Sequence, residues 1–418
     1  MAIVDYKVIL TEITGISPHS RADMLRIAII GAGIGGLAAA CALRQHGFAV
    51  TVYERAAEIG EVGAGLQLGP NAVKVLRALG VFDALGPLAF EPTNIVSLAW
   101  DDGHLRFREP LRATAAARFG APYVMAHRAD LHRLLIEELP EASIVLDAQC
   151  VDVTSSGAGA GAAFADGRTI EADVIIGADG INSIIREKLV GPQPARYTQQ
   201  MAWRCMVPIA CAPKHVGPGG SVTIDRDEYV GWIGPTGHVI CYPIRSGETC
   251  NIFAGHVSDT WVEESWSVAS GVAELLAGFA GWNPALLDML SHVRECYKWG
   301  IRDRDPLSSW TFGRVTLLGD AAHPMMPTLA QGAAIALEDA YVLARNLSRH
   351  RTDPARGLAA YDAERLPRAS KVQLQSRQQF QNNRLSPAPP PLSRDWIFAY
   401  DATQEVGAAR VEERQPQP

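Results

Sequence analysis

The 418-residue sequence has few cysteines, no excess of positive charge and no long apolar run, and each shortage excludes a class of protein. Its seven cysteines are odd in number and never form a Cys-x-x-Cys pair, so neither a disulfide framework nor a metal site is predicted. Lys and Arg number 38 against 45 Asp and Glu, so the charge pattern of a nucleic-acid-binding protein is absent. No run approaches the roughly 18 apolar residues that span a bilayer. Because the first 24 residues are also too polar for a secretory signal, we expect a cytoplasmic protein with no membrane or nucleic-acid partner.

The sequence does contain enough apolar material, 48% of its residues, for more than one core. Its pattern predicts an α/β fold, in which a Rossmann-like nucleotide-binding domain is interrupted by a mostly antiparallel β-sheet domain and followed by C-terminal helices. The predicted segments are an N-terminal arm at 1–24, the nucleotide-binding domain at 25–95, 120–198 and 306–384, the sheet domain at 96–119 and 199–305, and a Pro-rich tail at 385–418. We expect the tail to cross the surface in an extended conformation and to be disordered after about residue 402.

The most informative motif is an apolar strand at 26–30 that runs into Gly31, Gly33 and Gly36. Gly31 permits a tight turn, Gly33 lets a pyrophosphate approach the backbone, and Gly36 allows close packing of helix and strand. The helix N-terminus offers unpaired N–H groups to phosphates. Glu54 ends the second strand and is placed to bind a ribose. The motif therefore predicts a dinucleotide site.

Two further strands each end in a turn that contains polar residues and leads to a helix. We call these two turns, and the glycine turn after residue 30, the three corners. The first, within residues 173–186, leads to Asp179 and then to a helix that contains Arg186. The second, within residues 313–324, leads to Asp320 and then to a small-residue helix. Such a helix aims its positive N-terminal end at whatever precedes it. Both aspartates are also candidates for helix N-caps, and the two roles can coexist.

Together the three motifs resemble the fingerprints of the single-component FAD-dependent aromatic monooxygenases, the para-hydroxybenzoate hydroxylase-like group, over about residues 25–385. The resemblance implies FAD as cofactor, NADH or NADPH as co-substrate, and hydroxylation of an aromatic ring by O2 through a flavin C4a-hydroperoxide. It also implies that Asp179 and Arg186 serve the FAD and nicotinamide sides of the cleft. The implied cofactor-binding residues are Gly31, Gly33, Gly36, Glu54, Arg55, Arg128, Asp179, Asp320, Gly332 and Ala333.

Candidate catalytic residues follow a turn at 234–237. His238 and Tyr242 lie on one face of the predicted strand, about 13 Å apart along it, and could bracket a ring. The same His-x-x-x-Tyr pair occurs in 3-hydroxybenzoate 6-hydroxylase-like and 6-hydroxynicotinate monooxygenase-like relatives, which implies that His238 deprotonates or orients the substrate hydroxyl. An unperturbed histidine pKa near 6.5 suits that role. The alternative is a histidine that faces solvent or fills the core.

An acidic substrate needs a cation, and Arg204 is preferred to Arg245. The resemblance implies further substrate contacts from Gln67, Pro324, Met326 and Pro327. Pro327 and Thr328 depart from the two relatives named above, and the Met-Pro-x-Leu-Ala-Gln-Gly motif is more similar to salicylate hydroxylase-like chains. Four tryptophans are candidates for the pocket, although packing in the sheet core is the more common use: Trp203, Trp232, Trp299 and Trp310.

We therefore expect an FAD-dependent, NAD(P)H-consuming hydroxylase of a small phenolic or heteroaromatic acid. Salicylate-like substrates come first, followed by 3-hydroxybenzoate, 6-hydroxynicotinate or urate. An NAD-dependent dehydrogenase and a non-catalytic flavin-binding protein are the alternatives from other classes. We expect a monomer or a homodimer.

Overall fold

The computed structural model describes residues 24–60, 65–259, 268–385 and 389–405. The arm predicted before residue 24 and the predicted disorder of residues 406–418 lie outside these ranges. The strands are β1 (Arg26–Ile30), β2 (Ala49–Tyr53), β3 (Gly65–Leu68), β4 (Asn94–Ala99), β5 (Leu105–Pro110), β6 (Val124–His127), β7 (Ile144–Val145), β8 (Cys150–Ser155), β9 (Ala160–Phe164), β10 (Thr169–Ala172), β11 (Val174–Gly177), β12 (Arg196–Pro208), β13 (His215–Val216), β14 (Val222–Thr223), β15 (Tyr229–Gly234), β16 (Gly237–Ile244), β17 (Thr249–Val257), β18 (Val268–Ser270), β19 (Cys296–Asp303), β20 (Thr311–Phe312) and β21 (Val315–Leu317). The α-helices are α1 (Ile34–Gln45), α2 (Pro70–Ala78), α3 (Phe82–Leu85), α4 (Arg112–Phe119), α5 (Arg128–Glu137), α6 (Ile184–Val190), α7 (Val272–Gly278), α8 (Pro284–Ser291), α9 (Gly332–Arg349), α10 (Pro354–Asn383) and α11 (Asp395–Ala399).

A six-stranded sheet with the order β20-β21-β11-β1-β2-β7 forms the nucleotide-binding part of the molecule. Its inner strands are parallel, and the side chains of β11 are buried throughout, as expected for strands covered on both faces. The loops after β1, β11 and β21 leave the same edge of the sheet, so the three predicted corners converge there. Helices α1 and α9 pack against each other beside this edge. The Rossmann-like part of the prediction is confirmed.

An eight-stranded sheet has the order β18-β19-β12-β17-β16-β15-β4-β5. All neighbouring pairs are antiparallel except β4 with β15. Side chains on its outer face pack with those of α7 and α8 into a second hydrophobic core, separate from that of the six-stranded sheet. The inner face is left to line a cavity. The predicted antiparallel insertion is therefore confirmed, and strands β4 and β5 contribute to it.

The C-terminal part consists of two long helices, α9 and α10, and a proline segment that leads to a short helix. Residues 389–394 of this segment form neither helix nor strand, as the proline run predicts. Helix α11 was not predicted, and it packs against α2 and α4. The chain therefore returns to the nucleotide-binding part after its last long helix.

The structure bears on two features of the composition, the apolar runs and the cysteines. Across the described ranges, no helix is at once long and apolar enough to cross a membrane. All seven cysteines carry free thiols, and every one except the half-buried Cys211 is buried.

Candidate active site

A cavity of about 1090 Å³ lies between loops at one edge of the six-stranded sheet and the eight-stranded sheet. The loop after β1 and the turn after β21 form one side, and the inner face of the eight-stranded sheet forms the other. Helix α4 and the C-terminal segment at 389–398 complete the wall. Most of the predicted cofactor and substrate residues therefore line one cavity.

The glycine corner is shaped to admit a ligand at one position only. Gly31 has a φ of +109°, and a Cβ on it would lie 2.4 Å from the carbonyl oxygen of Ala178. A Cβ on Gly36 would lie 2.1 Å from the carbonyl oxygen of Gly31. A Cβ on Gly33, in contrast, would meet no atom within 4 Å. Gly33 lines the cavity at the N-terminus of α1, so it leaves an open cradle of the kind a pyrophosphate fills.

Glu54 supports this corner from behind. Its carboxylate accepts hydrogen bonds from the backbone N–H groups of Ala32 (2.8 Å) and Ala56 (3.0 Å). Neither Glu54 nor the exposed Arg55 is among the described residues that line the cavity. The ribose role of Glu54 and the cofactor role of Arg55 stay predictions.

The second corner contains a helix cap. Asp179 accepts hydrogen bonds from the hydroxyl of Ser183 (2.5 Å) and the N–H of Ile184 (2.8 Å), the capping role offered as the alternative. Arg186 is buried and donates to the carbonyl oxygens of Ala321 and Ala322 at 3.1 and 2.9 Å. Neither Asp179 nor Arg186 is among the described cavity-lining residues. The guanidinium therefore ties the second corner to the third, and the roles of Asp179 and Arg186 at the FAD and nicotinamide sides of the cleft stay predictions.

The third corner presents a carboxylate and a helix N-terminus. The Asp320 side chain is accessible from the cavity although it lies deep in the protein, and this depth raises its pKa. Gly332 and Ala333 line the cavity at the start of the 18-residue helix α9. Ala330, just before this helix, has a φ of +54°, a strained conformation that is common at functional sites. With Arg128 also in the lining, these groups fit the ribityl and pyrophosphate portions of FAD.

The sheet side of the cavity can be read as rows of neighbouring side chains. One row contains His238 beside Ile233 and Gly255. The middle row is mainly apolar and consists of Arg204, Phe253, Ile240 and Gly231. The third row places Tyr242 beside Asn251, with Tyr229 stacked on Tyr242 at 6.0 Å between ring centroids. The wall therefore has polar groups at two ends and a middle row that is apolar except for Arg204, and His238 and Tyr242 share one face as predicted.

His238 is a buried, neutral residue. Its imidazole stacks on Phe253 with ring centroids 5.4 Å apart, and a Cβ on Gly255 would lie only 2.9 Å from its Cε1 atom. Burial lowers the pKa of His238 to about 4. The unperturbed histidine pKa near 6.5, which made His238 suitable for deprotonating a substrate, therefore does not apply to this residue. At neutral pH the imidazole is therefore uncharged and keeps one donor and one acceptor nitrogen.

The other end of the wall is a cluster of phenols around Gln67. The hydroxyl of Tyr123 donates to Oε1 of Gln67 at 2.8 Å. Burial raises the pKa of Tyr242, and the charge of Arg204 and a hydrogen bond from Gln67 only partly oppose this. Tyr242 is therefore protonated at neutral pH and available as a donor. Gln67 and Tyr242 are predicted from the sequence, whereas Tyr123 and Tyr229 are not.

Arg204 lines the cavity, and its guanidinium carbon lies 4.3 Å from the centroid of the Trp299 ring. Arg245 lies in an exposed turn after β16. The position of Arg204 therefore agrees with the preference for it as the carboxylate partner. The four tryptophans are not among the described lining residues, since three are fully buried and the fourth packs beside Met326: Trp203, Trp232, Trp310 and Trp299.

The loop before α9 contributes Met326 and Pro327 to the cavity wall. Met326 packs against Phe253 from the sheet side. Pro324 is not among the described lining residues, and its carbonyl oxygen accepts a hydrogen bond from Gln373 of α10 (2.9 Å). Its substrate role stays a prediction without structural support.

A buried ionic network lies behind the third corner. No local sequence pattern predicts it. His323 bonds Asp339 at 2.5 Å, and Arg365 bridges Asp339 (2.8 Å) and Glu338 (2.7 Å). Arg368 adds two further bonds to Glu338, at 2.7 and 2.8 Å. Among the described residues no cluster of three or more His, Cys, Asp or Glu side chains is arranged to hold a metal ion. The network therefore connects α9 and α10 to the turn that carries Asp320.

Comparison with known proteins identifies this arrangement. Residues 24–376 match the model of a family described as FAD binding domain. The chain belongs to this family. It is an FAD-dependent aromatic monooxygenase, which uses reduced nicotinamide and O2. The bound FAD supplies the redox chemistry, and the alternatives of a dehydrogenase or a non-catalytic protein are set aside.

Three relatives illustrate the similarity. The monooxygenase is 37% identical to 3-amino-4-hydroxybenzoate 2-monooxygenase PtmB3 of Streptomyces platensis, over 92% of this chain and 98% of that one. It is 38% identical to 6-hydroxynicotinate 3-monooxygenase of Pseudomonas fluorescens, over 90% and 95% of the two chains. A solved salicylate hydroxylase substrate complex has a TM-score of 0.77 at 28% identity, over 91% and 97% of the chains.

Proposed function

We propose that the monooxygenase hydroxylates a single-ring aromatic or heteroaromatic acid whose hydroxyl and carboxylate lie on opposite sides of the ring. The arrangement of the sheet wall carries this proposal. A neutral His238 lies at one end, and Tyr242 lies at the other with the positive charge of Arg204 acting on it. The two strand positions are about 13 Å apart, a span that one ring with two opposed substituents bridges through hydrogen bonds.

The polar groups of the wall suit two different substituents. Arg204 and the protonated Tyr242 supply donors for a carboxylate, and a guanidinium binds carboxylates with charge-assisted hydrogen bonds. His238 accepts from or donates to the ring hydroxyl. Phe253 and Ile240, which lie between His238 and Tyr242, cover the ring and keep water from it.

The relatives support the same substituent pattern. The substrates in the names of the two curated relatives, 3-amino-4-hydroxybenzoate and 6-hydroxynicotinate, both carry hydroxyl and carboxylate on opposite sides of one ring. Salicylate, with adjacent substituents, is the second candidate. It is favoured by the solved salicylate hydroxylase complex and by the Met326–Pro327 motif.

The decisive experiment is stopped-flow reduction of the bound flavin by NADH and by NADPH. The panel contains 3-amino-4-hydroxybenzoate, 6-hydroxynicotinate, salicylate, 3-hydroxybenzoate and urate, with products identified by mass. We expect one of the first two acids to accelerate reduction most and to yield an oxygenated product. Acceleration and product formation with salicylate alone would replace the proposal by the second candidate, and a response to urate alone would refute both.

Arg204→Gln tests the carboxylate contact directly. We expect the substrate dissociation constant to rise roughly ten- to hundredfold, because a charge-assisted hydrogen bond contributes about 1.5–3 kcal/mol. The carboxamide of the same substrate is the matched probe, and its affinity should be the same in both enzymes. An equal loss of affinity for the acid and the amide would show that Arg204 does not bind the carboxylate.

The cytoplasmic location and the monomeric or dimeric state stay proposals.

A further inference from the structure

Asn251 is a buried polar residue of the cavity wall that has no role in the proposed function. It lies on β17, the strand between β12 and β16 in the eight-stranded sheet, and is 3% exposed. In the register of the sheet it pairs directly with Tyr242 of β16. Arg204 of β12 pairs with Phe253, two residues further along β17, so Arg204 and Asn251 are diagonal neighbours, about 7–8 Å apart. Asn251 therefore lies between the two residues that we assign to the carboxylate.

A single hydrogen bond fixes the orientation of the Asn251 amide. The backbone N–H of Gly65 donates to Oδ1 of Asn251 at 2.7 Å. Because a backbone N–H can only donate, the atom that it meets is the amide oxygen, and the other atom, Nδ2, carries two N–H donors. Among the residues that the structure describes, none accepts a hydrogen bond from Nδ2, and the protein does not enclose this atom. The donor therefore opens onto the cavity that Asn251 lines.

Gly65 leaves the space that this arrangement needs. A Cβ on Gly65 would lie 2.4 Å from Cγ and 2.7 Å from Nδ2 of Asn251, and 2.6 Å from the hydroxyl oxygen of Tyr242. The φ of Gly65 is not in the left-handed region, so these contacts, rather than the backbone, exclude a side chain at this position. The Asn251 amide and the Tyr242 hydroxyl therefore approach the same point of the cavity wall.

We propose that Asn251 is a specificity-determining residue of the active site, whose Nδ2 donates to one oxygen of the substrate carboxylate. An ionised carboxylate only accepts, and its two oxygens together offer about four lone-pair sites, enough for Arg204, Asn251 and Tyr242. A primary carboxamide offers one accepting oxygen and one donating nitrogen. Because Arg204 and Nδ2 of Asn251 only donate, a carboxamide leaves one of them without a partner. The inference deepens the proposed function and rests on it for the carboxylate.

Asn251→Asp separates this role from a structural one. The aspartate keeps one oxygen for the Gly65 N–H and places a second oxygen where Nδ2 was. The probes are benzoate and benzamide, which carry the two groups on an otherwise unsubstituted ring. Their dissociation constants are measured from the flavin absorbance of the FAD-loaded enzyme at pH 8. We expect Asn251→Asp to weaken benzoate binding at least tenfold, whereas benzamide, which can donate to the new oxygen, binds as tightly as to the wild-type enzyme or more tightly.

Two further variants complete the experiment. Asn251→Leu has a similar shape but no donor, and it should lower the preference for benzoate over benzamide at least tenfold even if the aspartate variant does not fold. Asn283→Asp is the matched control. Asn283 is also buried, and its Oδ1 accepts from the backbone N–H of Ala285 at 3.0 Å, but it is not among the described residues that line the cavity. We expect Asn283→Asp to keep the wild-type preference.

The outcomes distinguish this inference from the proposed function. Benzoate has no ring hydroxyl, and its binding is measured without turnover. A lost preference for benzoate in the Asn251 variants therefore supports a carboxylate contact at Asn251 even if no acid of the flavin-reduction panel is hydroxylated. An unchanged preference in both variants, or no binding of benzoate to the wild-type enzyme, would overturn the inference, and the panel would still decide on the substrate.

Discussion

His238 shows how burial changes the meaning of a residue that the sequence marks as catalytic. The imidazole is 8% exposed, and its pKa is lowered to about 4. The residue is therefore neutral throughout the range in which an ordinary histidine titrates, near 6.5. In the proposed function, it contributes an uncharged hydrogen bond at the ring hydroxyl.

This predicts an acid sensitivity that belongs to His238. As the pH falls below about 6.5 the unfolded chain takes up a proton on this residue, whereas the folded enzyme does so only near pH 4. Stability is thus present above the unfolded pKa and is lost between these values, by on the order of 3 kcal/mol. Urea unfolding at pH 7 and pH 4.5 should show a smaller loss in His238→Asn than in wild-type enzyme. Equal losses in the two proteins, or a wild-type kcat/KM profile in which His238 titrates between pH 6 and 7, would contradict the prediction.

At the scale of elements, the corner between β1 and α1 separates stability from cofactor binding. Gly36 faces backbone atoms that cannot move, whereas Gly33 faces open cavity. The two glycines belong to one motif, but they serve different ends. Gly36 lets the helix approach the strand, and Gly33 leaves room for a ligand.

Gly33→Ala and Gly36→Ala form a matched pair that tests this division. We expect Gly33→Ala to change apoprotein stability by no more than about 0.5 kcal/mol and to weaken FAD binding at least tenfold. Gly36→Ala should cost about 1–3 kcal/mol or more, since a Cβ there overlaps a carbonyl oxygen. Thermal melts of the apoproteins and FAD titration would measure both. Destabilised Gly33→Ala apoprotein with normal FAD affinity would refute the division.

The sequence predicts what is encoded locally and misses what distant residues complete. The three strand-to-helix corners and the shared face of His238 and Tyr242 follow from short-range patterns, and the structure confirms them. The row that joins Arg204 to Phe253 and Ile240 depends on the register of separate strands, which no local pattern gives. The five-residue helix α11 escapes prediction because cations of α2 and α10 hold it.

At the scale of the whole molecule, the buried ionic network joins the long helices to the third corner. Burial alone would raise the pKa of Glu338, but the charges of Arg365 and Arg368 hold it below its ordinary value. Asp339 behaves in the same way between His323 and Arg365. Because both carboxylates have lowered pKa values, their contribution to stability is present at neutral pH and is lost as the pH falls below about 4.

Arg365→Met should therefore be strongly destabilising, because it leaves two carboxylates buried without their shared partner. We expect the free energy of unfolding of the apoprotein to fall by about 3–5 kcal/mol. Arg349→Met is the control, since its partner Glu405 is 81% exposed and the pair should contribute less than about 1 kcal/mol. Urea unfolding of the three proteins at pH 7 would measure this. Similar effects of the two substitutions would show that the network adds nothing beyond a surface ion pair.

The burial of the cysteines determines how easily oxidant released by the flavin can oxidise their thiols. Reduced flavin in contact with O2 releases oxidant whenever the ring is not hydroxylated, and thiolates are the side chains that such an oxidant attacks first. Here burial raises the pKa of Cys41 to about 12 and that of Cys150 to about 11, so both stay in the unreactive thiol form. Only Cys211 is partly open to solvent. The fold thus keeps six of its seven thiols away from this oxidant, and long turnover or storage in air without added reductant should leave those six thiols unoxidised.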